Sequence, residues 1–419
     1  MRLGGTLTLC TNRAAFAIAA CLILTRCGEQ QIASEGPPTE APVSFSSFEV
    51  LNPQLSTAAS QIALDYLEQI DADFEQANTE IAQLRVVLNN LVGTPSGETL
   101  ELAKQAWLDS HSAFELTSLH RYFAAQLLDE TAALSLIQLQ YQINHWPVIP
   151  GYIDYVAGYP DSGIVHDINV PLDIAALREQ HGAFDVSEIT LGFHVLEFLI
   201  WGQASDGQSR PVDDYRAITQ LDQDLAESGF TLEQLSNNRR RQLLLLIADT
   251  LLNDYQALQS LWSEQLVAIR PRIESMSGPQ AIIVLADAMA SMLREELLLR
   301  SLYPMLNGNL DESIQSPYSQ STQNAVSIQL SGLERLLLEN QTDDGTTLDR
   351  IFSAVSDEFS EFFYQNFDAS KSCLVLLYSN VESDMTRLSN ENEIEIVECI
   401  NLLTNMVGHI DRLKSELAI

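Results

Sequence analysis

Two titratable side chains, His194 and Glu197, stand alone in the otherwise apolar or small stretch from Ile189 to Trp201. Three residues apart on a helix, an imidazole and a carboxylate point the same way. Leu191, Val195 and Phe198 flank them on one side, and Phe193, Leu196 and Ile200 on the other. A helix that is apolar all round is predicted to be buried. A buried carboxylate must meet a cation, a proton or a hydrogen-bond network. Imidazole with carboxylate suits zinc, iron or manganese, and His and Glu at i, i+3 build carboxylate metal sites in helical bundles. From the residues alone, a structural His–Glu hydrogen bond is an equally good reading. The zinc-peptidase pattern H-E-x-x-H is absent, so Glu197 is either a ligand or a water-activating base, not comfortably both. No other nucleophilic constellation is present, and neither Cys373 nor Cys399 sits in a His-bearing motif.

The elements that must position this pair read as helices, with no run of alternating strands. Apolar residues recur every three or four positions from Thr57 to Leu91, and the run stops at Val92-Gly93-Thr94-Pro95. Ser96 is an N-cap candidate for a second helix, with Glu98 in its first turn and Trp107, Phe114 and Tyr122 along it. Pro147, Pro150, Gly151, Gly158 and Pro160 mark a long irregular stretch before the His194 helix. Helices are predicted at about Arg239–Val267, from Gly278 to about Tyr303, and at about Thr322–Glu339, Thr346–Phe367, Cys373–Leu388 and Glu393–Leu417. The chain is thus expected to be all-α, as two helical bundles over residues 51–310 and 311–419, divided within 304–321.

With 22 basic against 57 acidic residues the formal charge is −35, which excludes the basic footprint that nucleic-acid binding needs. The acids are dispersed, as on solvated helix faces, and would also attract metal cations. Residues 1–27 read as an export signal: Arg2 and Arg13 precede the apolar run Ala14–Leu24 and then Cys27. Cys27 is favoured as the lipidated first residue of a lipoprotein, although Arg26 replaces the usual small residue. Cys21 and plain cleavage are the alternatives. Residues 28–50, rich in Ser, Pro, Glu and Thr, read as a tether. These features predict a periplasmic protein held to the outer membrane through a lipid anchor alone. Cys373 and Cys399 are left as either a disulfide between two C-terminal helices or two buried thiols.

Four segments in order resemble the imelysin family of bacterial exported proteins. They are the Gly-x-His-x-x-Glu segment ending in Trp201-Gly202; Asn144-His145-Trp146-Pro147 with Tyr152-Ile153-Asp154; Ala106-Trp107 with Phe114-Glu115 and Arg121-Tyr122; and Leu293–Leu297 with Ser319, Thr322 and Gly332-Leu333. The resemblance implies two helical bundles with the histidine motif near their interface, and a role in iron supply. It leaves open whether members act as metallopeptidases or as metal-binding components of uptake systems. It also nominates further ligands, Glu115 and Asp154, beside His194 and Glu197, for an iron or zinc ion bound free or chelated, with uptake-system proteins as partners. Asp154 can instead cap or brace its loop, and Glu115 can lie on a solvated face; His111 and His120 are second choices, expected at the surface. Trp146 is expected to anchor the irregular stretch, and Trp201 to close a helix in the core. The chain departs from the family pattern at Ser118 and Ala325, where carboxylates are usual, at His111 in place of an arginine, and at Ile149-Pro150 in place of an acidic pair. A metal-binding module is therefore favoured, against a zinc-type peptidase using His194 and Glu197 or a scaffold with a degenerate site.

Overall fold

Asn52 opens the first helix, its side chain accepting from the Leu55 amide at 3.0 Å, with Pro53 in the first turn. In the computed structural model, which describes residues 51–123, 125–203, 210–383 and 388–418, this helix (α1) runs from Pro53 to Gly93. The export-signal and tether readings for residues 1–50 lie outside the described residues. A buried stripe of Ile62, Tyr66, Ile70, Phe74, Ile81, Leu84 and Leu88 faces the core, as the periodicity requires. Ser96 and Thr99 form a reciprocal cap for α2 (Gly97–Leu116). That helix stops short of Tyr122, against expectation. The Thr117 hydroxyl donates to the Phe114 carbonyl at 2.6 Å, and residues 117–123 continue as turns.

The stretch before the histidine helix is less irregular than its prolines and glycines suggest. It follows α3 (Glu130–Asn144), capped by Asp129, and contains the short helices α4 (Pro150–Ile153) and α5 (Ile174–Gln180). The histidine helix, α6, spans Phe193–Trp201. A short α7 (Gln223–Glu227) precedes α8 (Ser236–Glu274), and α9 covers Gly278–Met292. The chain then widens without a break into a π-helix over Leu293–Leu302, followed by α10 (Tyr303–Leu306). The remaining helices are α11 (Thr322–Leu338), α12 (Leu348–Val355), α13 (Asp357–Ser383) and α14 (Asn390–Leu417). No β-strand occurs among the described residues, so the all-α expectation holds. The anticipated break between Phe367 and Cys373 is absent. It falls at Ser356 instead, whose extended backbone ends α12 and whose hydroxyl accepts from the Phe359 amide at 3.2 Å.

Helices α1, α2 and α8 pack together, α3 lies on α8, and α6 is inserted against α2 and α8. In the C-terminal part α13 pairs with α14, and α11 packs on both α2 and α13. Helix α9 touches α1 on one side and α14 on the other. Cys373 and Cys399 form a disulfide from α13 to α14, with Cα atoms 5.6 Å apart. No described helix is long and apolar enough to cross a membrane.

Candidate functional site

Helix α6 is buried from Phe193 through Ile200, as its composition demands. Gly192 permits this placement. Its φ is 92°, and a Cβ there would come within 2.5 Å of the Ile143 carbonyl oxygen at the end of α3. Trp107 of α2 fixes the start of the helix by donating its indole N–H to the Phe193 carbonyl at 2.8 Å. His194 and Glu197 share one face, with Nδ1 of the imidazole 3.1 Å from Oε2 of the carboxylate.

The other carboxylate oxygen, Oε1, accepts from the backbone amides of Tyr318 at 3.0 Å and Ser319 at 2.7 Å, and from the Ser319 hydroxyl at 2.7 Å. Glu197 therefore pins the connector that enters α11. Burial pushes its carboxyl up to about 7, against the opposing pull of the Ser319 hydrogen bonds. Burial, with the nearby His111, holds the His194 imidazole well below its ordinary range, so it is neutral at physiological pH. When Glu197 is ionised it can only accept, so Nδ1 carries the proton and Nε2 presents a lone pair. His194 Nε2 is buried and has no hydrogen-bond partner.

Glu115, on α2, lies in the same buried polar cluster through His111, whose ring centroid is 5.2 Å from that of His194. Nε2 of His111 sits 3.2 Å from the Asn144 side-chain oxygen and 3.4 Å from Oε1 of Glu115. Three side-chain amides donate to the carboxylate: Asn144 at 2.7 Å, Gln315 at 2.6 Å and Gln329 at 2.6 Å. Ser118 adds a fourth bond at 2.9 Å and itself accepts from Arg121 at 2.8 Å. Burial alone would raise this carboxyl, but the hydrogen bond and charge from His111, the Arg121 charge and the Gln329 hydrogen bond hold it well below the carboxylate range. Arg121 continues to Glu296 on the π-helix at 3.0 Å, where Tyr122 and Arg300 also converge. Trp146, Glu296, Ser301, Gln315, Gln329 and Tyr378 help line an adjoining cavity of about 10 Å³, room for one water molecule.

Asp154 is buried elsewhere, at the end of α4. Arg240 meets it with two N–H groups at 2.6 and 3.0 Å, and Arg210 with one at 2.8 Å. His166 lies 3.3 Å from the same carboxylate. Two guanidinium groups neutralise this acid and leave no face for a cation, so the structure does not bring Asp154 to the His194 pair. His120 and His111 are both buried, contrary to the expected surface positions. His111 stacks on Trp107 with centroids 4.6 Å apart, and His120 bridges Tyr66 and Asp73. Trp146 is buried under the Arg300 guanidinium, 4.5 Å from its ring centroid, and anchors its stretch as expected. Trp201 is half-buried at the end of α6, its ring centroid 5.4 Å from that of Trp107.

The residues missed by sequence reasoning are Asn144, Gln315 and Gln329. Asn144 stands inside the Asn-His-Trp-Pro segment, and Gln329 lies one turn beyond Ala325 on α11, so each adjoined a noted position. Among the described residues no three His, Cys, Asp or Glu side chains are grouped to hold a metal ion. The nominated ligands therefore do not fit a resident catalytic metal, because their acids are already filled by N–H and O–H donors. What the site offers is one imidazole nitrogen, oriented by a carboxylate, beneath a pinned connector.

An all-helical chain with a buried His-x-x-Glu helix, whose Glu197 is held by the connector that enters α11, defines the class. Residues 70–395 match the imelysin family, and the chain belongs to it. In fold it is similar to a "putative iron-regulated protein A precursor" from Parabacteroides distasonis ATCC 8503, with a TM-score of 0.63 at 13% identity over 89% of this chain and 98% of that one. It is also similar to an imelysin-like protein from Psychrobacter arcticum 273-4, with a TM-score of 0.53 at 13% identity over 87% of this chain and 95% of that one. Among curated proteins none matches the chain.

Proposed function

We propose that this protein is an exported binding component of iron supply rather than a peptidase, and that His194 is the group that meets the metal cargo. The observation that carries this reading is His194 Nε2, which is buried, unpartnered and turned by the Glu197 carboxylate on the opposite ring nitrogen. A carboxylate behind a histidine fixes its tautomer and makes the free nitrogen a better ligand. A single nitrogen suits one open coordination position of an iron ion whose other positions are filled by a chelator. The name of the Parabacteroides relative, and the family to which the chain belongs, support the same direction. The export-signal reading of residues 1–27 agrees with a periplasmic, lipid-anchored location.

A peptidase would need a metal held by several side chains, and the acids available for that role are engaged with donors. The connector carrying Tyr318 and Ser319 is held on Glu197, and on this reading cargo reaches Nε2 when that segment lifts. The test is calorimetry with ferric citrate, ferrous ion and zinc on the wild type and on His194→Ala, with unfolded casein as a peptidase substrate. Binding of an iron species that disappears in His194→Ala supports the proposal. Equal affinity in both proteins refutes it, and casein turnover lost in the variant would establish the peptidase instead.

A further inference from the structure

Helix α3 is a surface helix almost without charge. Although 19% of the chain is charged, residues 131–153 contain no Asp, Glu, Lys or Arg. Ala132, Leu136 and Ile143 are buried, and the helix packs on α8. Leu134 and Ile137 point the other way, each 62% exposed. Tyr141 lies one turn further along the same stripe and donates its hydroxyl to the Val186 carbonyl at 3.3 Å. That bond holds the loop of residues 182–187 beside the end of the stripe. The loop presents Phe184, 92% exposed, and Val186, 65% exposed. Single exposed apolar residues are ordinary, and Val267 of α8 is one. An uncharged apolar face running the length of a helix and onto a loop tip marks a docking surface instead.

The charges and the path of the chain select what docks there. The face carries no base, and Glu130 and Asp185 lie at its two ends. The Asp185 carboxylate is turned back onto the Ser187 amide at 2.8 Å. With a formal charge of −35, the chain repels an anionic surface and also a second copy of itself. A zwitterionic lipid brings no net charge, and its ammonium groups can meet the flanking acids. The described chain also starts close to this face. The Ser56 hydroxyl oxygen accepts from the Gly278 amide at 3.2 Å, which places the start of α1 at the α8–α9 junction. Arg272 of the same junction donates to the Leu127 carbonyl at 2.6 Å, just before α3. The tether read at residues 28–50 reaches at most about 80 Å, so a lipid on Cys27 would keep a bilayer within range of the whole face. Tethering of this kind makes a weak second contact effective, because the two surfaces are never far apart.

We propose that the α3 face rests on a bilayer of zwitterionic lipid, with Phe184 and Val186 entering its acyl boundary and Leu134 and Ile137 lying along it. A ring projecting from a loop tip suits a deformable apolar layer, and an uncharged amphipathic helix suits the interface plane. The body of the protein is then held in one orientation, which an anchor on a flexible tether cannot do alone.

The test uses the full chain on vesicles of phosphatidylethanolamine and phosphatidylcholine with brominated acyl chains, which quench tryptophan fluorescence on contact. Trp107, Trp146 and Trp262 are buried, so a tryptophan added at the surface reports on its own position. The emission added by Phe184→Trp is expected to fall at least about twofold against the same lipids without bromine. Ile394→Trp, on α14 at a site 69% exposed, should add emission that bromine leaves unchanged. Leu134→Asp combined with Ile137→Asp changes only exposed side chains and should abolish the quenching at position 184. Replacing half the lipid with phosphatidylglycerol should weaken it. Unquenched emission at position 184 while the chain stays on the vesicles, or equal quenching at 184 and 394, overturns the proposal. Quenching that grows with phosphatidylglycerol overturns the choice of lipid. A dimer seen by sedimentation without vesicles, and separated by the two aspartates, would give the face to a second copy. No metal enters the test, so its failure leaves the reading of His194 untouched.

Discussion

Glu115 sets up a quantitative comparison between two substitutions. Its carboxylate receives four bonds, from Asn144, Gln315, Gln329 and Ser118, inside the protein. Glu115→Leu leaves those donors facing hydrocarbon, and each stranded donor costs about 1–3 kcal/mol, or at least about 4 kcal/mol in all. Glu115→Gln behaves differently. Its oxygen can keep Asn144 and Gln315, while its new N–H₂ faces Gln329 and Ser118. The side-chain oxygen of Gln329 has no partner, so that amide can turn over and accept. The Ser118 hydroxyl can rotate to accept as well. What is lost is the charge assistance on the bonds, about 1 kcal/mol each, partly offset because no charge remains buried. The expected cost is about 1–3 kcal/mol. Urea unfolding followed by circular dichroism at pH 7 measures both variants. The folded-state carboxyl is lowered, so its contribution is present above the unfolded carboxylate range and is lost as pH falls through the folded value. The gap between wild type and Glu115→Gln should therefore narrow in acid. Equal costs for Leu and Gln would refute the claim that the donors require an acceptor here.

Glu197 has the opposite sign. Its folded value of about 7 lies above the unfolded one, so stability is greatest below the unfolded range and falls as pH rises from about 4.5 through 7. Glu197→Gln should remove that slope in urea titrations taken at several pH values, and a retained slope would assign it to another group. Asp154→Asn strands Arg240 and Arg210 in the interior and should cost about 3–5 kcal/mol, while iron binding measured below the melting temperature stays at the wild-type level. Loss of binding without loss of stability would return Asp154 to the metal site. Opening the Cys373–Cys399 bridge, 26 residues apart, by Cys399→Ser should cost about 3 kcal/mol through the freedom returned to the unfolded chain. An unchanged melting temperature would refute that.

Much of the fold and the centre of the site were legible because they rest on local pattern. The spacing and apolar surroundings of His194 and Glu197 dictated a buried shared face, and the apolar stripes dictated α1 and the other long helices. The rest depends on long-range partners that carry no local mark. Glu115 meets Gln315 and Gln329 across about two hundred residues of chain, and glutamines give no pattern that distinguishes a buried donor from a solvated face. Asp154 looked like a ligand because a carboxylate in a motif segment reads the same whether arginine or metal answers it. His111 and His120 were expected outside because a lone histidine declares neither the ring it stacks on nor the acid it meets. The polar stretch Asp368–Ser372 suggested a break in α13, yet its Ser370 faces inward onto Met406 and the helix passes through.

Glu197 secures the connector by the backbone amides of Tyr318 and Ser319, and Glu115 secures it by Gln315. On the proposed reading, a ligand for His194 competes with the protein's own closure. Its observed affinity is the intrinsic affinity multiplied by the fraction of molecules whose connector has lifted. Substitutions that loosen the latch, such as Gln315→Ala, should then tighten binding without touching the ligand. On the same reading, the resting affinity of the site would be set as much by residues that never meet the cargo as by His194 itself.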